Sequence, residues 1–249
     1  MIVDADCHIS PFPEGISYEE LLRRMDRAGV DQALTWLQPP YFRDVDQGNA
    51  YVYEAGRAHP DRILPFGWVD PHHGLESSTA TIRRCLEEYG FPGVKLNGAQ
   101  NEFFIDDERL SIPLIEQIVA GGAMLAFHIG ADAYEYTHPF RLGKIARRFP
   151  QTPILAVHMG SSGLTEAMIE IAGECPNILL IGSNTKTKAI LKAIRTLGAA
   201  RVSFGSDTPF ELMHVEIAKY QALLAGEIGP QEQQLVMGGN LLRTLGQES

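Results

Sequence analysis

The chain has 249 residues, 45% hydrophobic and 21% charged, which suits an ordinary globular protein with a sizeable core, a single domain over residues 1–249. A formal net charge of -10, with no dense Lys/Arg cluster, removes the electrostatic basis for binding nucleic acid or an anionic membrane. The three cysteines, Cys7, Cys85 and Cys175, are far apart and form no CxxC, which argues against a disulfide framework or a cysteine zinc site. No signal-peptide pattern opens the chain and no apolar run approaches a membrane span, so a reducing cytoplasm is the expected compartment.

The elements follow in chain order. IVDAD (2–6) reads as a first strand. Asp4, Asp6 and His8 alternate with Val3, Ala5, Cys7 and Ile9, so an extended chain puts the three polar groups on one face and leaves Cys7 to packing. EELLRRMDRAG (19–29) carries Leu21, Leu22 and Met25 at helical spacing and stops at glycine. ALTWL (33–37) is a second strand, followed by the longest irregular stretch, QPPYFRDVDQGN (38–49), a candidate lid. ILPFGWV (63–69) is a third strand; His72 and His73 after it sit in a solvated loop or at the rim of a substrate site.

From there strands and helices alternate. TATIRRCLEEYG (79–90) precedes GVKLN (93–97), and PLIEQIVAGG (113–122) precedes AMLAFHI (123–129). His138 starts FRLGKIARRFP (140–150), before PILAVHM (153–159); LTEAMIEIAGECP (164–176) precedes NILLIGS (177–183), and KAILKAIRTLG (188–198) precedes RVSFGSD (201–207). Two closing helices follow, at 211–226 and 230–245.

Eight strands starting roughly 24–31 residues apart, each followed by an amphipathic stretch or loop, imply βαβ units and a parallel sheet. Eight repeats in about 250 residues match an α/β fold of the (β/α)8 TIM-barrel type. A doubly wound sheet would show a Gly-rich loop after the first strand, and none is present.

In such a barrel the chemistry sits at the C-terminal strand ends. The first strand gives Asp4, Asp6 and His8, the fourth Lys95 and Asn97, the fifth His128, the sixth His158 and the eighth Asp207. Imidazoles and carboxylates converging from several strands are what a divalent metal needs, and a cation would compensate carboxylates facing a core. Taken singly, Asp6 and His8 also read as a buried hydrogen-bonded pair, and His128 as a core histidine. Asp4 is a supporting residue that holds a ligand or a neighbouring strand in place. Lys95 pairs with Asp4 or Asp207 or binds a substrate carboxylate. Trp36 and Trp68 read as core packing, with a pocket wall as the alternative.

D-x-D-x-H on the first strand, H-x-G after the fifth, H-M-G after the sixth and G-S-D-x-P on the eighth resemble the amidohydrolase superfamily, in its amidohydrolase-2 branch of metal-dependent hydrolases and decarboxylases. The resemblance spans nearly the whole chain, with GVKLN, PLIEQ and the closing GNLLRTL. It implies one divalent metal ion held by Asp6, His8, His128 and Asp207. It also implies that Asp207 takes a proton from bound water, and that His158 acts as acid/base or electrophile, with ligation as the alternative; for Lys95 it adds carbamylation, as in binuclear relatives, as a third reading behind pairing and substrate binding. The family's usual H-x-H is Asp6-Cys7-His8 in this chain, and the added carboxylate tilts the choice from zinc, the first expectation, towards manganese. The expected activity is hydrolysis of an ester, lactone or amide of a small molecule. Non-oxidative decarboxylation of an aromatic acid is the alternative, and a non-catalytic binding barrel the second; a short chain without long loop insertions favours hydrolysis. A homodimer is the default assembly.

Overall fold

The computed structural model describes residues 1–39, 44–161 and 163–247. β1 (Val3–Ile9) is followed by α1 (Tyr18–Ala28), and β2 (Gln32–Leu37) by α2 (Val45–Ala58). β3 (Ile63–Pro65) and β4 (Gly67–Trp68) precede α3 (Leu75–Arg83). β5 (Gly93–Leu96) then leads to α4 (Ile112–Ala120), β6 (Met124–His128) to α5 (Pro139–Arg148), β7 (Ile154–Val157) to α6 (Thr165–Glu174), and β8 (Ile178–Ile181) to α7 (Thr187–Leu197). The last strand, β9 (Val202–Ser203), leads to α8 (Met213–Leu224), α9 (Pro230–Gln234) and α10 (Asn240–Thr244).

All pairings are parallel and follow chain order, β1 to β3 and β4 to β9. β3 and β4 are two halves of one barrel position. Between them the Phe66 amide donates to the Thr35 carbonyl at 2.9 Å, and just after β4 the Val69 amide donates to the Lys95 carbonyl at 3.2 Å. The seam between last and first strands is joined by the Ala5 amide to the Phe204 carbonyl (3.1 Å), the His8 amide to the Thr208 carbonyl (2.7 Å) and a parallel bridge between Cys7 and Thr208. The eight positions thus form the expected (β/α)8 TIM barrel. β5 to β8 are buried at every residue, because helices cover one face and opposing strands the other.

Local chemistry sets the helix ends. The Ser17 hydroxyl accepts from the Glu20 amide at the start of α1, and Glu19 and Glu20 sit in its first turn, where carboxylates favour the dipole. His138 opens α5, its Nδ1 accepting from the Phe140 amide.

Two stretches differ from the sequence reading. α2 occupies part of the expected irregular stretch, capped by Asp44, whose Oδ1 accepts from the Asp46 and Gln47 amides. Its periodicity is faint because the turns facing the core carry Gly48 and Gly56; a Cβ there would meet Leu37 and Pro65 side chains at 2.8 Å. Of the candidate lid, residues 40–43 lie outside the described residues and 45–49 are helical. The closing helix expected over 230–245 is α9, a π turn over 235–239 and α10. There the buried Asn240 side chain donates to the Ala199 and Val202 carbonyls at 2.7 and 2.8 Å, tying the C-terminal segment to β9.

Candidate metal centre

Two irregularities of the backbone aim the side chains. Along β1, Asp4 faces Ala33 and Cys7 faces Thr35, so three steps on β1 match two on β2. This β-bulge breaks the simple alternation expected of Asp4, Asp6 and His8, as bulges beside functional sites do. Asp6 and His8 share the mouth of the barrel. Asp4 turns to the seam, its Oδ1 accepting from the Asp6 amide (3.1 Å) and the Ser206 amide (2.8 Å). Burial raises the Asp4 carboxyl to about 7. At the other strand ends His158 (φ 66) and Asp207 (φ 60) are left-handed, at a cost of about 1–2 kcal/mol each for non-glycine residues. Surrounding structure has to enforce such conformations, which recur at functional sites.

Ligand atoms of Asp6, His8 and Asp207, all buried, lie within 4.8 Å of one another. His8 Nε2 is 3.3 Å from Asp6 Oδ1 and 3.6 Å from Asp207 Oδ1. Its Nδ1 lies 3.0 Å from the Leu37 carbonyl, an obligate acceptor, so Nδ1 carries the hydrogen and Nε2 keeps its lone pair. Burial and Lys95 oppose a second proton on His8, yet Asp207 and Asp6 outweigh them and raise its pKa. A positive charge is therefore favoured at Nε2. Burial also works against ionised Asp6, but Lys95, His8 and His158 hold its carboxyl far below the usual range.

The donor set fits a divalent cation. Asp6 Oδ1 and His128 Nε2 are buried without a hydrogen-bond partner, atoms that a cation would satisfy. The Trp36 indole N–H also meets His8 Nε2 at 3.1 Å, a bond that a cation on that lone pair would displace.

The remaining candidates are placed unequally. His128 lines the same pocket, its ring 4.5 Å from that of His158, but its ligand atoms fall outside the tight three-residue group. Burial, His158 and Lys95 lower its pKa, so it is a neutral imidazole. His158 lines the pocket with its Nδ1 engaged by the Ser183 carbonyl (3.2 Å) and hydroxyl (3.1 Å). Lys95 does not reach the pocket: it is fully buried, its Nζ 3.8 Å from Asp6 Oδ1 and 3.6 Å from the Trp36 ring centroid. It pairs with Asp6, where the sequence suggested Asp4, Asp207 or a substrate carboxylate. His72 and His73 are exposed on a short 3-10 turn. Sequence reasoning missed Ser183 and the polar role of Trp36. Ser183 closes the seventh predicted strand, and the rule that found His128 would have found it had hydroxyls been included.

The pocket has a volume of ≈ 180 Å³. Asn97, Gln100, Asp132 and Asn184 give it polar walls, and Phe210 supplies an aromatic edge against His8.

The profile of the amidohydrolase family, Amidohydro_2, matches residues 3–247. The chain belongs to this amidohydrolase family. It is 24% identical over 251 residues to the 2-amino-3-carboxymuconate-6-semialdehyde decarboxylase of Dictyostelium discoideum, covering 85% of this chain and 69% of that protein. It superimposes on a 2,6-dihydroxybenzoate decarboxylase complexed with 2,6-dihydroxybenzoate with a TM-score of 0.80, at 19% identity over 98% of both chains. A dihydroxybenzoic acid decarboxylase from Polaromonas sp. JS666, with bound manganese and the inhibitor 2-nitroresorcinol, gives a TM-score of 0.75 at 18% identity over 98% of this chain and 96% of that one. These likenesses establish the fold.

They also correct the expected activity. The three relatives named above are decarboxylases, which overturns the expected hydrolysis of an ester, lactone or amide.

Proposed function

We propose that this protein is a non-oxidative decarboxylase of a compact aromatic carboxylic acid, working with one divalent cation, manganese before zinc. The observation that carries the reading is the convergence of Asp6, His8 and Asp207 within 4.8 Å at the barrel mouth, on a fold shared with decarboxylases. Asp6 Oδ1, His8 Nε2 and an Asp207 oxygen would hold the ion, with His128 Nε2 as the fourth candidate from the same pocket. Two carboxylates among the ligands suit manganese, and one relative carries that metal. When bound, the cation supplies the positive charge that fixes the substrate's carboxylate and draws electron density from its ring.

The chain's own residues do the rest. Phe210 offers an edge to an aromatic ring, while Asn97 and Gln100, hydrogen-bonded to each other, leave the Gln100 side-chain nitrogen for ring substituents. The small pocket limits the substrate to about one ring. His158, its Nδ1–H held by Ser183, would deliver a proton from Nε2 as the imidazolium and regain it from water before the next turnover. The carbon–carbon bond to the carboxylate breaks, its electron pair on the ring carbon takes that proton, and carbon dioxide leaves.

The test is to load metal-free protein with Mn²⁺ and supply a panel of hydroxybenzoates, following carbon dioxide and phenol. Release of both in equal amounts, lost in Asp207→Asn, is expected. A fully loaded protein that releases no carbon dioxide from any acid on the panel would refute the reading.

A further inference from the structure

The buried hydroxyl of Ser183 touches two candidate site residues at once. It lies 2.5 Å from Asp6 Oδ2 and 3.1 Å from His158 Nδ1. The directions of these bonds follow from the partners. The Ser183 hydroxyl donates to the carboxylate oxygen Asp6 Oδ2. Nδ1 of His158 also faces the Ser183 carbonyl at 3.2 Å, which can only accept, so the hydrogen on Nδ1 belongs to the imidazole. The Ser183 oxygen therefore receives from His158 while its hydrogen is given to Asp6. All three side chains are almost completely excluded from water.

A consequence concerns the two oxygens of Asp6. Oδ2 is occupied by Ser183, whereas Oδ1 has no hydrogen-bond partner and faces His8 Nε2 at 3.3 Å. The hydroxyl thus fixes the carboxylate so that one particular oxygen is free at the place where Asp207 also arrives.

We propose that Ser183 is a positioning residue that presents Asp6 Oδ1 to the cation and links the orientation of that carboxylate to His158. This inference rests on the metal-centre reading above and adds a residue to it. Groups that orient metal ligands typically change metal affinity by about 10–100-fold when removed.

The experiment measures Mn²⁺ binding to metal-free protein by calorimetry, with circular dichroism to confirm folding, and needs no substrate. Ser183→Ala should raise Kd for Mn²⁺ by about 10–100-fold, and Ser183→Thr, which keeps the hydroxyl, should restore most of the affinity. His158 Nδ1 also lies 3.9 Å from Asp6 Oδ2, so His158→Asn should weaken binding severalfold with Ser183 present and clearly less in the Ser183→Ala background. An unchanged Kd in Ser183→Ala, or an equal effect of His158→Asn in both backgrounds, would overturn the inference. A wild type that binds no Mn²⁺ would remove the metal centre and this inference together. Mn²⁺ binding without turnover of any acid would sink the proposed reaction alone, leaving the Ser183 comparison intact.

Discussion

Replacing Lys95 with methionine should destabilise the metal-free protein far more than the manganese-loaded one. Lys95 is fully buried, and its Nζ has no hydrogen-bond partner; Asp6 Oδ1 is 3.8 Å away, and the Trp36 and Trp68 ring centroids are 3.6 and 5.2 Å away. Burial lowers its pKa to about 8 against the pull of Asp6 and Asp207, so at pH 7 it is mostly an ammonium ion. Without metal it is the nearest lysine or arginine to Asp6 Oδ1 among the described residues. At that separation and an effective dielectric of about 20 the attraction is about 4 kcal/mol. Removing one partner of a buried pair typically costs about 3–5 kcal/mol. Methionine fills similar space against the indoles, so the lost term is mainly electrostatic. A divalent ion on Asp6 Oδ1 compensates the carboxylate and turns Lys95 into a like-charged neighbour, so most of the cost should vanish. The thermodynamic cycle then requires the variant to bind Mn²⁺ more tightly, by about 100-fold if the difference is about 3 kcal/mol. Urea unfolding followed by tryptophan fluorescence, with and without saturating Mn²⁺, measures both legs, and calorimetry checks the affinity. Equal destabilisation in both conditions, or weaker Mn²⁺ binding, would refute this account of Lys95.

Four further outcomes are expected. Asp6→Asn should lose most of its bound metal in elemental analysis after purification, and wild-type content would show that Asp6 is not a ligand. Asn240→Ala leaves two buried carbonyls unpaired and should cost about 3 kcal/mol in chemical denaturation; a loss below half that would mean water replaces the amide. Ser17→Ala removes the cap of α1 and should cost about 1 kcal/mol, with Ser17→Asp recovering it. Asp106 accepts from Arg141 at 2.5 Å and Lys144 at 2.7 Å; burial raises its pKa, but Lys144 and Arg141 prevail and lower it. Its contribution is complete above the unfolded value near 3.8 and is lost as pH falls through the lower folded value. Asp106→Asn should therefore flatten the stability profile below about pH 4, and an unchanged acid limb would exclude that role.

The repeat of apolar runs determined the barrel, since burying both strand faces needs near-continuous hydrophobic segments whatever their partners. Asp6, His8, His128, His158 and Asp207 were legible for a related reason: strand ends at one rim must converge once a parallel sheet closes. The bulge in β1 was not, because it depends on β2 and the seam with β9. α2 escaped notice because its core-facing positions are glycines chosen for contact with Leu37 and Pro65, and that contact exists only in the folded chain. The partner of Lys95 and the double role of Ser183 were likewise decided by distance: Ser183 and Asp6 are 177 residues apart in sequence but share a hydrogen bond. A sequence states which groups are available at a rim; the closed barrel decides which atoms face one another, and in a buried site that geometry sets the charge each group can hold.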